Sequence, residues 1–214
     1  MMTFHARPAP DDRDAFERTL CVMRASGDLR GAATAIVEGY GAEIVGFLVA
    51  VLRDRQSAGD VFSQFTEDLW AGIGRFRGES SHRTWAYTLA RNAAHRHRRD
   101  PLRRRAVALS ECPELAAMEE RVRTATVTYM RSEVKNTIRR LRDSLDADDQ
   151  MLLILRVDRG MAWNEVASVM LDAAADGAPD TSEVARMSAT LRKRFERVKD
   201  WLRAEAARAT PPSA

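Results

Sequence analysis

The sequence predicts an all-α chain built as two small helical domains joined by a linker, the C-terminal one a helix-turn-helix. Three observations carry this. Apolar residues recur every three or four positions in one segment after another, the period of an amphipathic helix, and no stretch alternates as a strand would. Breaks rich in Gly, Pro and Ser separate these segments. The charge also changes sign from segment to segment, although the 214 residues carry 34 Lys and Arg against 31 Asp and Glu, a net of only +3.

The first domain is expected over 14–105. Asp14 to Ala25 places Phe16, Leu20 and Met23 on one face, and Ser26-Gly27-Asp28 interrupts it. Leu29 to Leu52 repeats the pattern with Ile36, Tyr40, Ile44, Phe47, Leu48 and Val51. Asp60 to Phe76 does so with Phe62, Phe65, Leu69, Ile73 and Phe76. Gly72, Gly74 and Gly78 then loosen the chain, so Gly74 to Ser81 reads as a loop. Ser80 or Ser81 can cap a further helix with Trp85, Leu89 and Ala93 on one face, running into the basic stretch Arg96 to Arg99 and stopping before Pro101.

Residues 106–130 read as the linker, just past Pro101 and around Pro113. The second domain is expected over 131–208. Val134, Ile138, Leu141 and Leu145 share a face, and the apolar run Met151 to Val157 ends at Gly160, a helix C-terminus. Trp163, Val166, Ala167 and Met170 make a short helix, and Asp172 to Pro179 a loop. Asp180 with Glu183 resembles a capping box for a long helix striped by Val184, Met187, Leu191, Phe195, Val198 and Leu202.

Composition excludes several classes. Hydrophobic residues at 45% and charged residues at 30% describe a globular chain, not a disordered one. No uninterrupted apolar run of about 18 residues suggests a membrane span. Met1 to Asp12 lacks the apolar stretch of a signal peptide. Two cysteines, Cys21 and Cys112, build no disulfide framework and suit a reducing cytoplasm. His95 and His97 lack further partners at metal-ligand spacing, Asp146-x-Asp148-Asp149 lacks the glycine and distal Glu of a calcium loop and reads as a helix cap, and no phosphate loop or nucleophile-base arrangement stands out. Neither a cofactor nor a catalytic residue is expected.

The near-neutral total conceals two basic zones. Residues 77–105 hold nine Arg against Glu79 and Asp100, a net of +7, and residues 186–203 a net of +5. Residues 106–120 sum to −4, and 54–70 and 141–150 each to −3. A charge run is usually a solvated face, but clustered Arg is also the footprint of a phosphate-binding surface. Only Lys135, Lys193 and Lys199 are Lys. Arg suits phosphates and base edges, although codon usage is the simpler source of that bias.

Each basic zone adjoins a motif. Arg156-Val157-Asp158-Arg159-Gly160-Met161-Ala162-Trp163-Asn164-Glu165-Val166-Ala167 and the basic helix after it read as a helix-turn-helix or as a plain helical hairpin. In a helix-turn-helix the last helix enters the major groove, and here Arg192, Lys193, Arg194 and Arg197 would face outward. The other motif, Phe76-Arg77-Gly78-Glu79-Ser80-Ser81-His82-Arg83-Thr84-Trp85-Ala86-Tyr87-Thr88-Leu89-Ala90-Arg91-Asn92, interleaves aromatics, Arg and hydrogen-bonding side chains, which suits single-stranded DNA. Trp85 and Leu89 also suit a core.

Together these motifs resemble the extracytoplasmic-function sigma factors of bacterial RNA polymerase. Members carry a segment like Asp60-Val61-Phe62 to Trp70, a Phe-Arg-Gly-Glu-Ser-Ser-type loop and an Arg-Thr-Trp-x-Tyr-x-x-Ala-Arg-Asn helix, matched here by Arg83 to Asn92. Their region four carries an Arg-x-x-x-Gly turn, a Glu-Val-Ala helix and a basic helix like Leu191 to Leu202. The resemblance implies core polymerase as partner, contacted on the clamp helices of its largest subunit and on its flap. Asp60, Val61, Gln64 and Trp70 would meet the clamp. It implies promoter DNA as the second partner. Phe76, Arg77, Glu79, Ser80, Arg83, Thr84, Trp85, Tyr87, Arg91, Asn92 and Arg96 would recognise and melt the minus-ten element, a flipped base being held in the loop. Trp163, Asn164, Ser188, Thr190, Arg192, Lys193, Arg194 and Arg197 would read the minus-thirty-five element as duplex. The acidic linker would run toward the RNA exit path, no membrane contact is implied, and an anti-sigma partner stays open.

The chain departs from the family at Ser63 and Thr66, where Gln and Phe are usual, and at Ala162, where Ser or Thr usually caps the helix. Leu171 to Thr190 is longer than the usual turn, either as an expanded loop or as extra helix beginning near Thr181. The alternatives to a sigma factor are a stand-alone helix-turn-helix regulator of operator duplex and a helical adaptor for acidic protein partners. The Arg83 to Asn92 motif favours the sigma factor, because a lone regulator has no use for it.

Overall fold

The computed structural model of the chain describes residues 10–99, 142, 144–171 and 180–209. These fall into two compact units, and no strand occurs among the described residues. The first unit holds α1 (Pro10–Ala25), α2 (Leu29–Leu52), α3 (Arg55–Gly72) and α4 (His82–Arg99). The second holds α5 (Ala147–Leu153), extended by a π-helical turn (Ile154–Asp158), then α6 (Trp163–Met170) and α7 (Thr181–Ala209).

In the first unit α2 is the central element, packed against α1, α3 and α4. Asp28 starts it, its carboxylate accepting from the Gly31 N–H at 2.8 Å. Ile36, Tyr40, Ile44, Phe47 and Leu48 are fully buried along it and meet Phe62, Phe65 and Leu69 of α3 and Tyr87 of α4 in one core. A fully buried Phe or Leu contributes about 1.5–3 kcal/mol, so this aromatic-rich layer is a main source of stability. Phe47 and Tyr87 meet edge to face, as do Phe16 and Tyr40, each with ring centroids 5.3 Å apart.

By length and composition α2 is apolar enough to cross a membrane. The contrary expectation rested on uninterrupted apolar runs, which Glu38 and Glu43 break. Half of the stretch is buried inside the unit, and Glu43 is held there by Arg83, the arrangement of a core helix. Helix α3 begins five residues before the predicted Asp60, because Asp54 caps it by accepting from the Ser57 N–H at 2.7 Å.

In the second unit Asp146 accepts from the Asp149 N–H at 2.7 Å and starts α5 at Ala147. Met151, Leu152 and Leu155 are fully buried together with Met161, Val166, Ala167 and Val169. The helix stops as predicted at Gly160, whose φ of 63° only glycine adopts freely. The Met161 N–H bonds back to the Leu155 carbonyl at 3.1 Å across that turn. Helix α7 starts at Thr181, which decides for extra helix at its N-terminus. The predicted helix through Val134, Ile138 and Leu141, the linker and the loop Asp172 to Pro179 lie outside the described residues.

Candidate nucleic-acid interface

The first motif forms an anchored loop. Helix α3 ends at Gly72, and the Phe76 N–H bonds to the Gly72 carbonyl at 3.1 Å, turning the chain back. The Phe76 ring stacks on Trp85 with centroids 4.8 Å apart and planes at 22°, beside His82 at 5.0 Å. The Arg24 guanidinium of α1 lies 4.7 Å from the same ring and donates to the Phe76 carbonyl. Beyond this anchor Arg77, Gly78 and Glu79 are exposed and Ser80 is half-buried. Gly78 has φ 77°, so the loop's reversal needs glycine there.

Helix α4 starts on two caps. Ser81 Oγ accepts from the Thr84 N–H at 3.0 Å, the serine cap that the sequence suggested. The second is Glu17, from α1. Its carboxylate accepts from the His82 N–H at 2.9 Å, the Arg83 N–H at 3.0 Å and the Tyr40 hydroxyl at 2.7 Å, and it meets His82 Nδ1 at 2.8 Å. Burial alone would raise the Glu17 pKa; the hydrogen bonds from His82, Tyr40 and the two backbone N–H groups outweigh it and hold the carboxyl below the ordinary glutamate range. The Tyr40 hydroxyl is pushed far up, by burial first and then by its bond to the Glu17 anion.

In the same first turn, the Arg83 side chain donates to both carboxylate oxygens of Glu43, at 3.0 and 2.8 Å, and one turn on the Tyr87 hydroxyl donates to the same carboxylate at 3.2 Å. The motif therefore divides in two. Arg83, Thr84, Trp85, Tyr87 and Arg91, expected to touch DNA, are buried, and both Trp85 and Leu89 are core. The outer surface keeps Arg77, Glu79 and Arg96, with Phe76, Ser80 and Asn92 half-buried. Arg96 is ion-paired with Asp68 of α3. Arg24, Glu17 and Glu43 escaped the sequence reading. For Glu43 the available signal was a carboxylate beside Ile44 in an otherwise apolar stretch, which calls for a buried partner; Glu17 and Arg24 lie among the charged residues of α1 and gave no such signal.

Of the residues expected at the polymerase clamp, Gln64 is exposed, Asp60 and Trp70 are half-buried, and Val61 is buried. Gln64 Nε2 donates to Glu67 at 3.3 Å and to Asp68 at 3.2 Å, giving α3 an acidic outer strip. The unusual Ser63 and Thr66 lie inside, their hydroxyls donating to the carbonyls of Gly59 and Ser63, so neither alters that strip.

In the second unit Trp163 organises the turn. Arg156 and Arg192 lie over its ring at 4.9 and 5.8 Å, and Phe195 meets it edge to face at 5.4 Å. Arg156 also donates to the Met161 carbonyl at 2.7 Å. Ala162 offers no cap, but Glu165 reaches back to accept from the Ala162 N–H at 2.7 Å. Asn164, Thr190, Arg192, Lys193 and Arg197 are exposed, whereas Ser188 is buried. Arg194, expected to face outward, is turned onto the N-terminus of α5. It pairs there with Asp149, with Asp146 at 3.0 Å and with Asp148 at 3.7 Å. Burial opposes its charge, but these carboxylates outweigh it and hold the guanidinium more firmly protonated than usual.

Residues 36–105 match the family Sigma-70 region 2. The chain is also 29% identical over 149 residues to an RNA polymerase sigma-H factor of Pseudomonas aeruginosa, covering 67% of this chain and 77% of that protein. No solved structure matches the chain.

Proposed function

We propose that this chain, a sigma factor that directs transcription initiation by RNA polymerase, is of the extracytoplasmic-function type, acting inside the cell with no catalysis of its own. Region two would occupy 14–105, the linker 106–130 and region four 131–208. The reading rests above all on the Phe76 to Arg83 arrangement, in which stacked aromatics and two caps hold a short polar loop out into solvent. Such a loop can receive a base swung out of the stack, offsetting the few kcal/mol of unstacking with hydrogen bonds from Glu79, Ser80 and backbone groups. Arg77, Asn92 and Arg96 would follow the strand's phosphates, and the buried motif residues hold the loop in place. The acidic strip at Asp60, Gln64, Glu67 and Asp68, with Trp70, would dock on the polymerase clamp, and region four on the flap. Helix α7 would enter the minus-thirty-five major groove with Thr190, Lys193 and Arg197, while Arg192 stays against Trp163 and Asn164 meets the backbone. An anti-sigma partner would compete for the same surfaces.

The test is capture of core polymerase by the purified chain, followed by run-off transcription from promoters mapped by transcript start sites after overexpression. Polymerase capture with promoter-dependent transcripts is expected. Tight duplex binding without polymerase, and no capture of core, would instead identify a stand-alone regulator.

A further inference from the structure

Helix α1 precedes the matched segment 36–105, yet it supplies two of the contacts that fix the loop. Glu17 and Arg24 are seven residues apart, two helical turns, and so share one face with the fully buried Leu20. Glu17 holds the first N–H groups of α4, downstream of the loop. Arg24 holds the upstream end, donating to the Phe76 carbonyl and lying over its ring. The guanidinium also borders the loop itself, since a Cβ on Gly78 would lie 3.9 Å from its Nη1. A planar group can stack on the ring and donate in its own plane at once, which an ammonium cannot do.

We propose that Arg24 is a positioning residue for minus-ten recognition, latching the base-capturing loop in its receptive shape before DNA arrives. This rests on the reading of the loop given above. A latched loop binds its base without first losing conformational freedom, so the latch raises affinity without touching DNA.

The experiment uses holoenzyme assembled with wild-type, Arg24→Ala or Arg24→Lys protein. Fluorescence anisotropy measures binding of a labelled single-stranded oligonucleotide carrying the non-template minus-ten sequence of a mapped promoter. The affinity for core polymerase is measured alongside. Arg24→Ala should weaken oligonucleotide binding on the order of tenfold with the affinity for core unchanged. Arg24→Lys, which keeps the charge and a donor but loses the stack, should recover part of that loss. Oligonucleotide binding by Arg24→Ala within twofold of wild type would overturn the proposal. So would a parallel loss of core affinity, which would mark Arg24 as merely part of the fold. A wild-type holoenzyme that ignores the oligonucleotide would sink the reading of the loop and this inference with it, whereas a wild type that binds alongside an unaffected variant would sink only the inference.

Discussion

Glu17→Gln is the most informative single change in the first unit, because it keeps the shape of the side chain and removes only its charge and half of its acceptors. One carboxylate oxygen accepts from the Arg83 N–H and the Tyr40 hydroxyl, while the other takes the His82 N–H and faces His82 Nδ1. Whichever way the amide turns, its NH2 confronts one backbone N–H of the first turn of α4. Tyr40 can rotate its hydroxyl and His82 can change tautomer, but a backbone N–H cannot. Leaving one such donor unsatisfied costs about 1–3 kcal/mol, and losing a negative charge at a helix N-terminus about 0.3–1 kcal/mol. A loss of about 2 kcal/mol follows, roughly 10 °C in Tm for a domain of this size. Denaturant unfolding followed by circular dichroism measures it.

The pH dependence makes the reasoning stricter. The folded Glu17 pKa lies below its ordinary value of 4.5, so its contribution is fully present above that value. It disappears as the pH falls through the depressed folded value, where the wild type also protonates. The gap between wild type and Gln variant should therefore be constant near neutrality and close in acid. Equal stability at neutral pH, or a gap that persists unchanged after protonation, would refute the cap.

Glu43→Leu should cost about 3–5 kcal/mol by stranding the buried Arg83 charge, with much of it recovered in the Glu43→Leu, Arg83→Met double variant; chemical denaturation of all four corners of the cycle checks this. Lys193→Ala should weaken minus-thirty-five duplex binding and lower the salt-dependence slope by about 1 with Tm unchanged, whereas Arg194→Ala should lower Tm by releasing Asp146 and Asp149; titrations at several salt concentrations and thermal melts separate the two. Ala162→Ser should stabilise the second unit by about 0.5–1 kcal/mol, because Ala162 already has the extended backbone of a helix cap but no side-chain acceptor; a raised Tm is the readout.

Periodicity and caps made the helices legible. Leu29–Leu52, His82–Arg99 and Trp163–Met170 fall where their apolar stripes and flanking Ser81 and Gly160 place them. The start of α3 was missed because Asp54 lies about two turns before Val61, the first strongly apolar residue, and a cap is visible only once its helix is known. At the candidate site the order of residues showed which motif is present but not which way it faces. Arg83 and Arg91 read as DNA contacts because they stand among aromatics in the motif that carries the family resemblance, and Arg is usually exposed. Their burial depends on partners far off in sequence, such as Glu43, forty residues before Arg83. Arg194 misled for the same reason, its three aspartates lying in a segment read only as a cap.

The division of the first motif into a buried scaffold and an exposed loop has a consequence for how promoter preference could change. Between the Phe76 anchor and the Ser81 cap, Arg77, Gly78, Glu79 and Ser80 reach solvent while the core beneath them is complete. Gly78 is constrained by its backbone angle; its neighbours Arg77 and Glu79 are exposed. On the proposed reading of the loop, substitutions at those two exposed positions would alter which base is accepted at little cost to folding, and libraries confined to them would sample specificity without sampling collapse.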